Sequence, residues 1–262
     1  MKIVVCIKQV PDTNEVKLDP VTNTLIREGV PSIINHDDKS GIEAALQLRE
    51  KVGGFVTAVC MGPPQADAAL REALAMGCDE AVLISGREFG GSDTWATAAI
   101  IAAGLEKIGY DLVITGRQAI DGDTAQVGPQ IAETLHIPQV SYAEQIDVEG
   151  DKIIVKRQFE DRYHIIELQT PCLITALTEL ATPRYMHAGG IIDAYEKEIK
   201  QLGFDDLKES LNPDHIGLKG SPTNVFKSFT KQGKGVGMFH ADLSPDEAVN
   251  IIIEKMEERH II

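Results

Sequence analysis

Along the first half of the chain, short apolar runs rich in β-branched residues alternate four times with longer segments of helical apolar spacing. The pattern predicts strands over 3–10, 55–61, 80–85 and 110–116, and helices over 38–52, 64–76, 93–108 and 124–135. Such alternation is typical of right-handed βαβ units, whose strands form a parallel sheet covered by helices on both faces. We therefore predict a doubly wound, mostly parallel α/β sheet with ligand-binding loops at the carboxyl ends of its strands.

Two segments depart from this alternation. Residues 15–28 have the pattern of two short strands joined by an Asp-Pro turn, which predicts a surface hairpin inserted in the first crossover. After Pro138, runs of strand character predict added antiparallel strands over 143–148, 152–158 and 163–168.

Beyond residue 180 the apolar periodicity is lost, and Pro, Gly and Ser become frequent. A final helix is predicted over 245–259, capped by Ser244 with Glu247 at its third position. A long aperiodic stretch is unusual inside a compact domain, so we expect it to lie across another protein. The expected division is an α/β domain over 1–180, with an antiparallel extension at about 141–178, and an arm over 181–262.

Composition narrows the classes of partner. The 262 residues are 43% hydrophobic and 25% charged, as in an ordinary globular protein, and the net charge of −15 opposes binding to nucleic acid or to an anionic membrane. The four cysteines form no CxxC pair and the histidines no HExxH, so neither a disulfide framework nor a metal site is predicted. The apolar run at the N-terminus is too short for a membrane span and lacks a cleavage site, so we expect a cytoplasmic protein.

The most informative segment is 116–130 (GRQAIDGDTAQVGPQ), which leaves the fourth strand and opens a helix. Its unpaired backbone N–H groups would form a phosphate site at the positive end of the helix dipole, at Thr124, Ala125, Gln126 and Val127. Gly122 and Gly128 would permit close approach of the backbone, and Asp121 and Asp123 could accept from ribose hydroxyls. The alternative is a helix-capping turn that binds no ligand.

Three other loops are expected at the same sheet edge. In the segment Asn35, His36, Asp37 and Asp38, the asparagine could cap the first helix or bind an adenine edge. Met61, before Gly62, could form a soft apolar wall or belong to an ordinary turn. Asp93 and Thr94 follow a glycine pair and open the third helix, in a loop suited to a polar ligand.

The chain lacks several motifs that would define an enzyme. It has no GxGxxG after the first strand, no GxxxxGK[ST] and no nucleophile elbow. The residues alone therefore predict an adenine-nucleotide binder with no catalytic residues of its own.

The sequence resembles the beta subunit of electron-transfer flavoproteins over essentially the whole chain. The resemblance is carried by residues 5–10 (VCIKQV), 75–77 (AMG), 116–121 (GRQAID) with Asp123, Gln126 and Gly128, and 182–185 (TPRY). It implies a Rossmann-type, adenine-nucleotide α-hydrolase-like fold, an alpha subunit that carries FAD, and AMP or a second FAD on this chain. The implied nucleotide contacts are Cys6, Asn35, His36, Asp37, Asp38, Met61 and residues 121–127.

Within that family the chain is most similar to the anaerobic, electron-bifurcating branch, on residues 10–12 (VPD), 121–126 (DGDTAQ) and 91–94 (GSDT). The resemblance implies FAD in place of AMP, with NADH as the donor of hydride. One electron then goes to ferredoxin or flavodoxin, and the other passes through the alpha-subunit flavin to a dehydrogenase. In this interpretation the helix at Thr124 holds the pyrophosphate, and Asp93 and Thr94 lie near the ribityl chain or the flavin ring.

The resemblance also implies a recognition loop that docks an acyl-CoA dehydrogenase through an apolar anchor, usually leucine. This chain has no leucine there, so Tyr185 or Met186, next to His187, could replace it. A linker that only wraps the alpha subunit is the alternative. Two other classes compete with the family: a universal-stress-like AMP- or ATP-binding module, and an ATP-pyrophosphatase with its SGGxDS loop.

Overall fold

The computed structural model describes residues 1–12, 31–150, 152–223 and 235–262. The chain forms two compact units, Met1–Val225 and Phe226–Ile262, which we treat separately. The hairpin predicted over 15–28 lies outside the described residues.

A nine-stranded sheet forms the centre of the first unit. The strands, with a separate two-stranded pair formed by β2 and β3, are β1 (Lys2–Ile7), β2 (Gln9–Pro11), β3 (Ser32–Ile34), β4 (Phe55–Met61), β5 (Glu80–Ile84), β6 (Leu112–Gly116), β7 (Gln139–Glu149), β8 (Lys152–Gln158), β9 (Tyr163–Gln169), β10 (Cys172–Ala176) and β11 (Ile199–Leu202). Their order is β11-β5-β4-β1-β6-β10-β7-β8-β9, and all pairs except β7–β8 and β8–β9 are parallel.

Helices cover both faces of this sheet. They are α1 (His36–Val52), α2 (Asp67–Met76), α3 (Thr94–Ile108), α4 (Val127–Thr134), α5 (Ala188–Glu196), α6 (Phe204–Leu207) and α7 (Gly217–Gly220), followed in the second unit by α8 (Pro245–Glu257). Alternate residues of β1 serve opposite cores: Ile3 and Val5 pack with α1 and α2, whereas Val4 and Cys6 pack with α3 and α4. The predicted doubly wound α/β fold is confirmed.

The first predicted strand, 3–10, is divided in two. The backbone N–H of Lys8 donates to the carboxylate of Asp38 instead of a neighbouring strand, so β1 ends at Ile7. The chain then forms β2, which pairs antiparallel with β3.

The antiparallel extension contains the three predicted strands, β7, β8 and β9. The stretch predicted to end at about 178 also includes β10, which instead lies between β6 and β7 and is parallel to both. All five residues of β10 are buried. Strands β1, β4, β5 and β6 are also almost wholly buried, but they were predicted because they alternate with long helical segments. No long helix directly follows β10, so the sequence did not reveal it.

Regular structure continues beyond residue 180. Helix α5 packs on α2, and β11 adds a parallel edge strand beside β5, so the compact unit extends to Val225. The sequence predicted no elements here, since β11, α6 and α7 have only four residues each and α5 leaves much of its apolar surface exposed. In the second unit, α8 begins with the predicted capping box between Ser244 and Glu247. No helix in the described parts of the chain is long and apolar enough to cross a membrane.

Candidate functional site

The predicted site residues converge on the carboxyl edge of the parallel strands. Cys6 and Met61 lie at or next to the ends of β1 and β4, and the loops after β5 and β6 contain Asp93 and Asp121. Hydrogen bonds join these loops to each other and to the start of α1. The arrangement places polar groups and a helix start where proteins of this architecture bind ligands.

Asp38 holds the ends of two neighbouring strands together. Its Oδ2 accepts from the backbone N–H of Lys8 at 2.7 Å, and its Oδ1 accepts from the backbone N–H of Gly116 at 2.9 Å. Burial raises the pKa of this carboxyl to about 7, although the two backbone hydrogen bonds oppose the shift. Gly116 is required by the contact, since a Cβ there would lie 2.1 Å from Asp38 Oδ1.

Asn35 fixes the loop after β6. Its side chain does not cap α1, in contrast to one of the two predicted uses. Instead Nδ2 donates to the carbonyl of Gln118 at 2.8 Å, and Oδ1 accepts from the backbone N–H of Ile120 at 3.1 Å. Because both amide atoms are engaged inside the protein, Asn35 positions the loop.

The next two residues of the segment have different environments. His36 is exposed. Asp37 is buried, accepts a hydrogen bond from the Thr178 hydroxyl, and has its Oδ2 3.4 Å from Nε of Arg117. Asp37 therefore joins α1 to neighbouring segments of the protein.

The loop over 121–126 has an unusual backbone. Asp123 and Ala125 take left-handed conformations, with φ of 49° and 52°, which a right-handed helix cannot contain. Helix α4 therefore begins at Val127, three residues after the predicted start at Thr124. Its N-cap, Gln126, makes no side-chain capping bond, so the first N–H groups of the helix are not satisfied by that residue.

Two side chains of the same loop have partners. Asp121 Oδ1 lies 2.7 Å from the ammonium of Lys8, and Asp123 accepts from Nε2 of Gln118 at 2.9 Å. Thr124 is exposed.

The two glycines predicted to admit a ligand differ. A Cβ at Gly128 would lie 2.6 Å from Thr115 Oγ1 and 2.8 Å from Thr175 Cγ2, so this glycine permits α4 to pack against the sheet. A Cβ at Gly122 would meet nothing within 4 Å, so the loop faces open space there.

Asp93 and Thr94 connect the third helix to this loop. Asp93 caps α3 by accepting from Ala96 N–H at 3.0 Å, and its Oδ2 accepts from the Thr223 hydroxyl at 2.7 Å. Although partial burial opposes it, these hydrogen bonds lower the pKa of Asp93. Thr94 Oγ1 donates to Oε1 of Gln126 at 2.9 Å, which brings the loops after β5 and β6 into contact.

A cavity of about 660 Å³ adjoins the loops on the β4 and β5 side. Its walls include Lys8, Met61, Ile84, Arg87, Phe89 and Ser92. The sequence pointed to Met61 but missed Lys8, Arg87 and Phe89. Lys8 lies in the quoted VCIKQV run, and its position directly after a buried strand is the signal that could have identified it.

Cys6 and Cys60 provide no reactive thiolate at this edge. Burial raises the pKa of both thiols, and nearby Asp38 raises them further; that of Cys60 reaches about 12. The described residues contain no cluster of three or more His, Cys, Asp or Glu side chains that could hold a metal ion.

The predicted partner-binding residues lie apart from these loops, in the segment leading into α5. Tyr185 is fully exposed and Met186 is 39% exposed, whereas His187 caps α5 through Nδ1, which accepts from Gly190 N–H at 3.0 Å. The sequence missed Ile192 and Tyr195, large apolar side chains that α5 also exposes.

Comparison with known proteins adds the family. A model described as the electron transfer flavoprotein domain matches residues 22–207. The chain is 57% identical to the electron transfer flavoprotein subunit beta of Thermoanaerobacterium thermosaccharolyticum. It is 54% identical to the caffeyl-CoA reductase-Etf complex subunit CarD of Acetobacterium woodii and 52% identical to the acryloyl-CoA reductase electron transfer subunit gamma of Anaerotignum propionicum. Each alignment covers 100% of both chains.

The fold and the loops define an α/β protein with polar loops at the carboxyl ends of its parallel strands. The chain belongs to the electron transfer flavoprotein family, as a beta subunit of its anaerobic branch.

Proposed function

We propose that this chain binds FAD at the carboxyl edge of its sheet and accepts electrons there from NADH. The observation that carries the proposal is the start of α4. Its first N–H groups are left uncapped by Gln126, and they follow a loop whose left-handed residues, Asp123 and Ala125, precede the helix. Uncapped N–H groups at a helix start attract anions, which suits the diphosphate of an adenylated cofactor.

The residues around the helix start fit such a cofactor. Gly122 faces open space, and the loop before it is held in place by Asn35 and Lys8. In the proposal, residues 121–127 hold the phosphates and ribose, while Cys6, Met61 and the start of α1 line the adenine side. FAD, when bound, supplies the ability to take up electrons in pairs and release them singly.

The adjoining cavity is the proposed site for the donor. Its volume of about 660 Å³ lies within the usual range for small-molecule sites. Lys8 lines this cavity and also pairs with Asp121 of the loop over 121–126. In the proposed reaction, two electrons enter from NADH; one leaves to ferredoxin or flavodoxin, and the other passes through an alpha-subunit FAD to a dehydrogenase. Thr94, which contacts Gln126, and Asp93 would lie towards the flavin.

Two surfaces support the proposed partners. Tyr185, Met186, Ile192 and Tyr195 expose apolar surface beside and on α5, which suits docking of an acyl-CoA-type dehydrogenase. The names of the relatives from Acetobacterium woodii and Anaerotignum propionicum include acyl-CoA reductases, in agreement with such a partner. In the second unit, α8 exposes Val249, Ile252 and Ile253 at helical spacing. We propose that this unit, the last part of the arm predicted over 181–262, wraps the alpha subunit. We propose the cytoplasm as the location of the complex.

Visible spectroscopy of the purified complex, together with nucleotide extraction, tests the proposal. We expect two flavins per heterodimer and bleaching of the yellow colour by NADH. One flavin with bound AMP would instead indicate an electron carrier in which AMP has a structural role. A chain that elutes alone in gel filtration when co-expressed with its neighbouring gene product would indicate a universal-stress-like module.

A further inference from the structure

Lys8 links the end of β1 to the loop after β6. Its backbone N–H is held at 2.7 Å by Oδ2 of the buried Asp38, which fixes where its side chain begins. Its ammonium lies 2.7 Å from Oδ1 of Asp121, across 113 residues of sequence. Because a buried carboxyl fixes its backbone, Lys8 can hold Asp121 in a defined position.

The loop contains two carboxylates close in sequence to the proposed phosphate site, and like charges oppose phosphate binding. Asp123 is exposed to water, which screens its charge. The side chain of Asp121 is only 6% exposed, so water screens it poorly and a cation is needed beside it. Within the described residues, Lys8 is the only cation in an ion pair with Asp121.

We propose that Lys8 is a positioning residue for the adenylate site, which acts by neutralising Asp121 so that the loop can accept phosphate. The inference rests on the proposed function, since it requires an adenylated ligand on residues 121–127. The Lys8 side chain remains 45% exposed at the wall of the adjoining cavity. Its pairing with Asp121 cancels one negative charge of the loop over 121–126. Lys8 thus acts on the ligand through Asp121.

Titration calorimetry of the complex, freed of exchangeable nucleotide, tests this with AMP and adenosine as probes. Replacing Lys8 by methionine (K8M) keeps an unbranched side chain, one atom shorter than that of lysine, and removes its charge. We expect affinity for AMP to fall about tenfold, or ~1.4 kcal/mol, while affinity for adenosine changes less than about twofold, because adenosine carries no phosphate. The double variant K8M/D121N should return AMP affinity to within about threefold of the unaltered protein, since it removes both charges.

Two further variants act as controls. K8R retains the charge and should bind AMP within about threefold of the unaltered protein. K51M removes the lysine of the Lys51–Asp147 pair, 2.9 Å apart, at the far end of α1, roughly 25 Å along the helix from the site, and should bind AMP normally.

Three results would overturn the inference. If K8M/D121N binds AMP as weakly as K8M, Lys8 contacts the phosphate or supports the loop by another means. Equal losses for adenosine and AMP would show that K8M disturbs the loop itself. Failure of the unaltered protein to bind AMP, ADP or FAD would overturn the adenylate site and this inference with it, whereas the first two results leave the site standing.

Discussion

At the scale of single residues, Asp38 makes the stability of the protein depend on pH. Its carboxyl has a pKa of about 7 in the folded protein, against an ordinary value of 3.8. Between these values the folded protein retains a proton that the unfolded chain has released, so the free energy of unfolding decreases as pH rises through this interval. Above pH 7 the stabilisation that protonation of this group gives is lost.

The first prediction is that Asp38→Asn removes this contribution. The unaltered complex should lose about 1–2 kcal/mol more than the variant between pH 5 and pH 8, because only the unaltered protein gives up the proton of Asp38 in this interval. Asparagine lowers stability at every pH because its amide can replace only one of the two acceptors. The test is therefore the change in the free energy of unfolding between pH 5 and pH 8, not its value at one pH. Urea denaturation measures it, with Asp147→Asn as the control, since hydrogen bonds to Lys51 and Gln145 lower the pKa of Asp147 and keep it ionised. Equal changes with pH in the variant and the unaltered protein would contradict the assignment.

Gly128 gives the second prediction at this scale. A valine there would place atoms against Thr115 and Thr175 and push α4 away from the sheet, which costs about 1–3 kcal/mol. On the proposed function, we expect the FAD proposed for this chain to be lost and the flavin of the alpha subunit to be retained, as measured by flavin content and thermal unfolding. Gly237→Val is the matched control, because it makes the same substitution where a Cβ meets nothing within 4 Å. Retention of both flavins with unchanged thermal stability would argue against a role for this close packing.

The sequence predicted which residues gather at the sheet edge better than it predicted what they do there. Asn35 was identified because it directly precedes α1, and the loop after β6 was identified because it follows a clear strand. That Asn35 holds Gln118 and Ile120 instead of capping α1 depends on a contact across 83 to 85 residues. Local propensity contains no information about such a contact, because the capping use and the bridging use require the same side chain.

At the scale of elements, contacts with α2 fix the position of helix α5. Arg71 of α2 donates to the carbonyls of Ala194 and Lys197 at the carboxyl end of α5, and its guanidinium lies 5.9 Å from the ring centroid of Tyr195. A cation at this end of a helix satisfies carbonyls that have no partner within the helix. Arg71 thus fixes the orientation of the helix that exposes Ile192 and Tyr195.

The third prediction concerns this contact. Arg71→Met should loosen α5 and raise the KM of the acyl-CoA-type dehydrogenase for the reduced complex about threefold to tenfold, with kcat unchanged, because only docking is affected. Steady-state kinetics with the complex as the varied substrate measures it. Lys200→Met, which removes the exposed pair between Lys200 of β11 and Glu80 of the neighbouring strand β5, should change neither constant. A fall in kcat without a change in KM would show that α5 does not contribute to docking.

Elements were predictable where the spacing of apolar residues along the chain shows a regular pattern over several residues. Helices α1, α2 and α3 were found because each has an apolar face of several residues, and strands β1, β4 and β5 because they are apolar runs that alternate with these helices. Strand β10 has no long helix directly after it, and β11 has only four residues, so neither belongs to the strand–helix alternation that identified β1, β4, β5 and β6. The position of β10 between β6 and β7 is likewise decided by tertiary packing.

At the scale of the whole molecule, the chain separates into a unit that has its own core and one that does not. Met1–Val225 contains both apolar clusters and the entire nine-stranded sheet. Among the described residues of the second unit none is buried, and α8 leaves Val249, Ile252 and Ile253 exposed. A unit without buried side chains gains little from hydrophobic burial and needs a partner surface to become stable.

The fourth prediction follows from this division. A chain ending at Val225 should fold with unchanged secondary structure, because the sheet and both cores lie within it, but should no longer co-purify with the alpha subunit. Circular dichroism reports the fold, and affinity purification with gel filtration reports the heterodimer. The matched control is a full-length chain with Glu254→Gln and Glu257→Gln, which changes charge on α8 while preserving its apolar residues and should retain the partner. A truncated chain that still forms the heterodimer would place the subunit interface in the first unit, and one that fails to fold would show that the second unit stabilises the sheet.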